Sequence, residues 1–232
     1  MKYQEVVKEI GKYKSTKKAK TSQWFFKTKK GQYGYGDIFV GLTVPEMRTV
    51  SKKFSGIALV EVQKLLNSKI HEERFIGLTI MDILFSKAEP KVKKKIVDMY
   101  IKNTKNVNNW DLVDTSAYSI LGEYLLDKKR DVLYKFSKSK SVWERRISIV
   151  ATYSFIKKGQ LSDTLDISES LFDDKEDLIH KAVGWMLREV GKKDAVKLKS
   201  FLSKNIKKLP RTTLRYAIER FGVEERKKFL SL

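Results

Sequence analysis

Apolar residues recur at helical spacing along most of the chain, and strand-like alternation is nearly absent. The spacing predicts helices over 2–14, 45–54, 58–67, 71–86, 90–102, 110–127, 129–138, 141–158, 163–172, 175–191, 193–204, 210–220 and 223–231. Short polar joints separate these stretches, which favours antiparallel neighbours. The three prolines, Pro45, Pro90 and Pro210, each precede a helical stretch. Proline suits a first turn because its missing N–H would find no partner there. The pattern predicts an all-α chain forming one domain over 1–232.

A weak internal repeat runs through these helices. Glu73-Arg74-Phe75-Ile76-Gly77, Glu144-Arg145-Arg146-Ile147-Ser148 and His180-Lys181-Ala182-Val183-Gly184 each open an apolar helix with a basic residue, then small or aliphatic ones. Arg211-Thr212-Thr213-Leu214-Arg215 is a degenerate copy. With Val113-Asp114 as the remaining start, the steps are 31–40 residues. Periods of that size belong to solenoids of HEAT-like antiparallel helix pairs, with an irregular helical bundle as the competing arrangement. In a solenoid the inner helices form a concave wall. Arg74, Arg146 and Lys181 would then line up along it, with Asp114 among them.

The N-terminal third departs from this rhythm. Lys12, Lys14, Lys17, Lys18, Lys20, Lys27, Lys29 and Lys30 surround Gln23-Trp24-Phe25-Phe26. The stretch 27–41 is rich in glycine and lysine and reads as a loop or short hairpin. Its glycines fit neither the GxxxxGK[ST] nor the GxGxxG spacing of nucleotide loops. Lys27, Lys29 and Lys30 are candidate contacts to a DNA backbone; a plain connector is the alternative.

Charge narrows the partners. Lys and Arg number 49 against 28 Asp and Glu, a formal net charge of +21. Such an excess points to nucleic acid, an anionic membrane or an acidic protein. The absence of cysteine excludes disulfides, thiolate metal sites and cysteine nucleophiles. His71 and His180 lie far apart outside any metal-ligand spacing and are expected as surface residues at helix starts. Neither a metal nor a cofactor is expected. No apolar run reaches the ~18–20 residues that cross a bilayer, and no signal-peptide core follows Met1. The expectation is a monomer in the cytoplasm, associated with the nucleoid when bound to DNA.

Candidate chemistry concentrates in Asn108-Asn109-Trp110-Asp111-Leu112-Val113-Asp114. On a helix starting near Trp110, the indole and the Asp114 carboxylate are four residues apart and share a face. That pair suits a flat substrate that carries or develops positive charge. Bland readings exist for each residue. Asp111 fits an N-cap, Asp114 fits the helix dipole, and Trp110 and Trp185 fit ordinary core aromatics.

Together with Gly41-Leu42-Thr43-Val44-Pro45-Glu46-Met47-Arg48, Trp143-Glu144-Arg145-Arg146 and Lys181-Ala182-Val183-Gly184-Trp185-Met186-Leu187-Arg188-Glu189, this segment resembles the AlkD-like, HEAT-like-repeat DNA alkylation repair glycosylases. The segments occur in the family's order over about residues 20–220. The resemblance implies a right-handed superhelical solenoid whose concave basic face grips duplex DNA. It also implies release of cationic N3- or N7-alkylpurines without flipping the base into a pocket. Carried across, Asp114 matches the catalytic carboxylate, Trp110 and Trp185 the indoles beside the lesion, and Arg146 an arginine at the DNA backbone. Asn109 stands where the family's best-known pattern has a second tryptophan, and the loop 27–40 is longer. The N-terminal aromatic of the site is Trp24, Phe25 or Phe26.

The resulting expectation is a glycosylase acting on alkylated double-stranded DNA. Two alternatives remain. One is a non-catalytic relative that binds branched or damaged DNA. The other is a helical scaffold for an acidic protein.

Overall fold

The computed structural model describes residues 1–231. Among them the secondary structure is helical, with one isolated parallel bridge between Ile38 and Ile70. The all-α class read from periodicity is what the chain adopts. No helix among the described residues is long and apolar enough to cross a membrane. The residues fall into two compact units, Met1–Ser116 and Ala117–Leu232.

The first unit holds α1 (Tyr3–Gly11), α2 (Thr16–Phe25), α3 (Val44–Lys53), α4 (Leu59–Leu66), α5 (His71–Lys87), α6 (Pro90–Lys102) and α7 (Trp110–Ser116). Helix α5 lies at its centre, with α3, α4, α6 and α7 packed on it and α1 against α3 and α4. Phe75, Ile76, Leu78, Ile80 and Met81 of α5 are buried. Each such side chain contributes roughly 1.5–3 kcal/mol relative to leaving it in water. Helix α3 starts as Pro45 suggested: the Glu46 carboxylate accepts the Thr43 N–H and hydroxyl at 2.7 and 2.8 Å, a capping-box interaction.

The second unit opens with a π-helical turn, Ala117–Gly122. It continues with α8 (Asp131–Ser137), α9 (Val142–Ala151), α10 (Tyr153–Lys157), α11 (Ser162–Ser170), α12 (Asp177–Lys193), α13 (Ala195–Asn205), α14 (Arg211–Ala217) and α15 (Val223–Ser231). Helices α9 and α14 flank α12, while α8 packs on α9 and α11 and α13 pack on α12. Short joints link the consecutive contacting helices α8 and α9, α11 and α12, and α12 and α13, as antiparallel neighbours require. Gly184 lets α12 and α14 approach closely: a Cβ there would stand 2.5 Å from Tyr216 Cβ and 2.7 Å from the Thr213 carbonyl oxygen.

Three expectations about elements change. Residues 16–25 form a helix although they lack an apolar period; only Ala19 is buried on it, and the Ser15 hydroxyl accepts the Lys18 N–H at its start. The stretch 110–127 is interrupted at Ala117, where the Ser116 hydroxyl has turned back to the Leu112 carbonyl at 2.6 Å. Such back-bonding bends helices. The stretch 141–158 breaks at Thr152, which donates to the Ile149 carbonyl in the same way at 2.7 Å.

The loop 27–41 contains turns and the Ile38–Ile70 bridge but no hairpin. Gly41 ends it with φ +91°, and a Cβ there would meet the Ser15 carbonyl oxygen at 2.1 Å. Only glycine combines that backbone conformation with that proximity.

Candidate active site

The start of α5 is the least ordinary feature of the first unit. His71, Glu72, Glu73 and Arg74 follow one another, and each is at most 4% exposed. Burying four polar, ionisable groups is costly unless each finds a partner, and each does. The Glu72 carboxylate accepts the N–H groups of Val40, Gly41 and Leu42, the shortest at 2.8 Å from Gly41. Glu73 accepts the Tyr3 hydroxyl at 2.9 Å. Burial, with Glu73 adding to it, pushes the Tyr3 phenol up to about 12.

His71 joins two carboxylates. Its Nδ1 lies 2.9 Å from Asp37 Oδ2 and its Nε2 lies 2.7 Å from Asp111 Oδ2. Burial by itself would lower the imidazole pKa, but the charge and hydrogen bond of Asp111, then those of Asp37, lift it to about 9. His71 is therefore an imidazolium at neutral pH, donating from both nitrogens. Asp37 also accepts Arg74 Nη2 at 2.6 Å and Asn108 Nδ2 at 3.2 Å. Burial would raise the Asp37 pKa; the His71 hydrogen bond, then the Arg74 and His71 charges, bring it below the usual carboxylate value.

This network ties the glycine-rich loop, α5 and the first turn of α7 together. With both imidazole nitrogens occupied, it is an ion-pair network; no grouping suited to a metal ion occurs among the described residues. It corrects two expectations. His71 is interior rather than a surface residue. Asp111 lies inside the first turn of α7, and Asn109 takes the capping position, its Oδ1 accepting the Trp110 N–H at 2.8 Å.

Above the network lies a cleft of about 860 Å³. Trp110 and Asp114, one turn apart on α7, both line it, as do Trp24, Phe25, Phe26 and Phe39. Phe26 stacks on Trp110 with centroids 5.3 Å apart and on Phe39 at 5.1 Å. Phe39 in turn stacks on the His71 ring at 4.5 Å. Phe25 meets Trp110 edge-on at 5.8 Å. The Trp110 Nε1 donates to the Tyr33 hydroxyl at 3.3 Å. All three of these indole contacts, from Phe25, Phe26 and Tyr33, come from the N-terminal region. All three aromatics left open by the sequence line the cleft, and Phe26 is the one stacked on Trp110.

Asp114 is partly buried. Its charge is felt by Tyr100, whose phenol is raised first by burial and further by Asp114, against a lowering hydrogen bond from Ser116. Lys17, Lys18 and Arg48 add positive charge to the cleft lining.

The remaining predicted residues are placed variously. Trp185 lies in the second unit, 6.1 Å from the Tyr153 ring, and Tyr153 meets Tyr118 edge-on at 5.3 Å. The Lys157 ammonium stands 5.3 Å from both tyrosine rings. Lys181 pairs with Asp177 at 2.7 Å on a half-exposed surface. Lys27, Lys29 and Lys30 are exposed.

Arg74 and Arg146 depart from expectation. Arg74 is 4% exposed and committed to Asp37 and the Ser68 carbonyl. Arg146 is 5% exposed and donates to the Leu178 carbonyl. Neither guanidinium belongs to an open cationic row, because a buried arginine must spend its donors inside the protein. Sequence reasoning missed Phe39, the interior position of His71, and Asp37. A glycine-flanked lone Asp was the available signal for Asp37; nothing local marks the others.

Helices in contacting pairs and an aromatic-walled cleft, in a chain of net charge +21, define an all-α protein with a candidate site in its first unit. Residues 6–221 match the family model of the DNA alkylation repair enzymes, and the chain belongs to that family. Among solved structures it resembles one described as a predicted DNA alkylation repair enzyme from Enterococcus faecalis. The TM-score is 0.72 at 15% identity, covering 90% of this chain and 97% of that one. At that identity the likeness speaks for the fold. A comparison with curated protein sequences found no match.

Proposed function

We propose that the protein is a DNA glycosylase that hydrolyses the N-glycosidic bond of cationic N3- or N7-alkylpurines in duplex DNA, acting as a monomer and without base flipping. The observation that carries this reading is the shared cleft of Trp110 and Asp114, one helical turn apart, with Lys17 and Lys18 also in its lining. Alkylation of a ring nitrogen makes the purine a cation. When the C1′–N bond breaks, its electron pair leaves with the base, which departs neutral, and positive charge passes to the sugar. The Asp114 carboxylate stabilises that oxocarbenium ion through space and orients the water that adds to C1′. The proton released by the water passes to Asp114 or to solvent.

No acid is required at the leaving group, since the cationic base needs no further proton. Trp110 offers its ring to the cation, an interaction of ~0.5–2 kcal/mol. Trp185 remains the candidate second indole. Exposed Lys27, Lys29 and Lys30 support contacts to phosphates, which orient the duplex without reading sequence. Arg74 acts from inside instead, holding Asp37 in the network below the cleft.

The test is release of free base from a duplex carrying N7-methylguanine or N3-methyladenine. Asp114→Asn is expected to slow release by about 10²–10³-fold while leaving duplex affinity intact. Equal rates for wild type and variant would remove Asp114 from the mechanism. Tight binding to methylated or branched duplex without any release by the wild type would favour the non-catalytic alternative.

A further inference from the structure

Helix α2 is oddly built for a helix that merely packs. Only Ala19 on it is buried. From Ile10 to Gly36 the chain carries eight lysines and no carboxylate. Lys17, Lys20 and Trp24 recur at i, i+3 and i+7, so they share one face, and all three are exposed. Trp24 is 78% exposed and the neighbouring Phe25 52%. Lys17 and Lys20 have no ion pair among the described residues, whereas Lys18 is drawn to Glu46 at 2.9 Å. An indole held in water beside unneutralised ammonium groups suits a partner that presents flat apolar faces and negative charge together.

Nucleic acid does so, but an intact duplex hides the faces of its bases and offers only their edges. An opened step exposes them. A membrane surface is the poorer fit, because an interfacial helix needs an apolar stripe along its length. Here Lys17 and Lys20 occupy the face of Trp24, and the exposed aromatics cluster at one end.

We propose that Trp24, with Lys17 and Lys20, is a stacking platform for a nucleobase exposed at an opened step in DNA, namely a gap, an abasic position or an unpaired nucleotide beside the cleft. The proposal rests on the DNA reading above and extends it. Removal of a purine leaves an abasic position, so the platform would hold the product of the proposed reaction as well as pre-opened DNA. Indole stacking supplies affinity without sequence preference, and the lysines hold the flanking phosphates.

The experiment uses the full chain and three duplexes: intact, one with a tetrahydrofuran abasic analogue, and one with a single-nucleotide gap. Each carries 2-aminopurine beside the altered position. The wild type is expected to bind the two opened duplexes on the order of tenfold more tightly than the intact one. It should also change the 2-aminopurine emission. Trp24→Ala should abolish both the preference and the emission change, so that the three duplexes bind alike; Trp24→Phe should retain part of each. Circular dichroism would verify that the variants fold.

A wild-type preference that survives Trp24→Ala, or no preference in the wild type, overturns the platform while leaving the DNA reading standing. Failure of the wild type to bind any of the duplexes at low salt overturns both. Binding to phosphatidylserine vesicles, with no DNA binding, would assign the surface to a membrane instead.

Discussion

His71 illustrates how a single side chain can organise a site from below without lining up with any motif. It bridges Asp37, 34 residues away, and Asp111, 40 residues away. Its folded pKa of about 9 lies above its ordinary value of 6.5. Stability from the imidazolium is therefore complete below about pH 6.5 and is lost as pH rises through about 9. Urea unfolding between pH 6 and 10 should show that loss in the wild type and not in His71→Gln. A wild-type profile flat over the same range would contradict a charged His71. The other groups facing this network are Asp37, Arg74 and Asp111, which the substitution leaves in place. Asp37→Ala, which strands two buried cations, should cost about 3–5 kcal/mol, read as a lower urea midpoint.

Spacing announced Trp110 and Asp114 as neighbours, because four residues on a helix always share a face. Arg74 was misjudged for the complementary reason. Its helical position was legible, but its burial depends on Asp37, which a separate loop delivers.

Elements show the same division. Helix α3, with Thr43, Pro45 and Glu46, could be read because its start signals are local. Helix α2 could not, since it lacks an apolar stripe and is placed by the packing of Ala19 and the Gly41 turn. The π-helical turn at Ala117–Gly122 was equally hidden. Glycines test how tightly the elements meet. Gly184→Ala drives a methyl group into Tyr216 and Thr213 and should destabilise by roughly 1–3 kcal/mol. Gly11→Ala, in α1 with nothing within 4 Å of its Cβ, should be neutral or stabilising by up to ~1 kcal/mol. Thermal unfolding of the pair measures both, and equal shifts would mean that α12 and α14 are not in close contact.

For the molecule as a whole, a net charge of +21 makes electrolyte the controlling variable for any polyanionic partner. Duplex affinity should fall linearly on a log–log plot against salt, with a slope near −0.9 per phosphate neutralised. Replacing Lys27, Lys29 and Lys30 together by Ala should flatten that slope by about 2–3 if each holds one phosphate. An unchanged slope would assign the loop 27–41 to connection alone.

Periodicity, charge and i,i+4 spacing are properties of neighbouring residues, and they were enough for an all-α fold, a cationic surface and the Trp110–Asp114 pair. What surrounds that pair was settled only by folding. Phe26 on Trp110, Tyr33 at the indole N–H, and the buried Asp37–His71–Asp111 bridge join segments 34–84 residues apart. Whether a charged side chain is buried depends on the partners that distant segments bring to it, and no local pattern encodes their arrival.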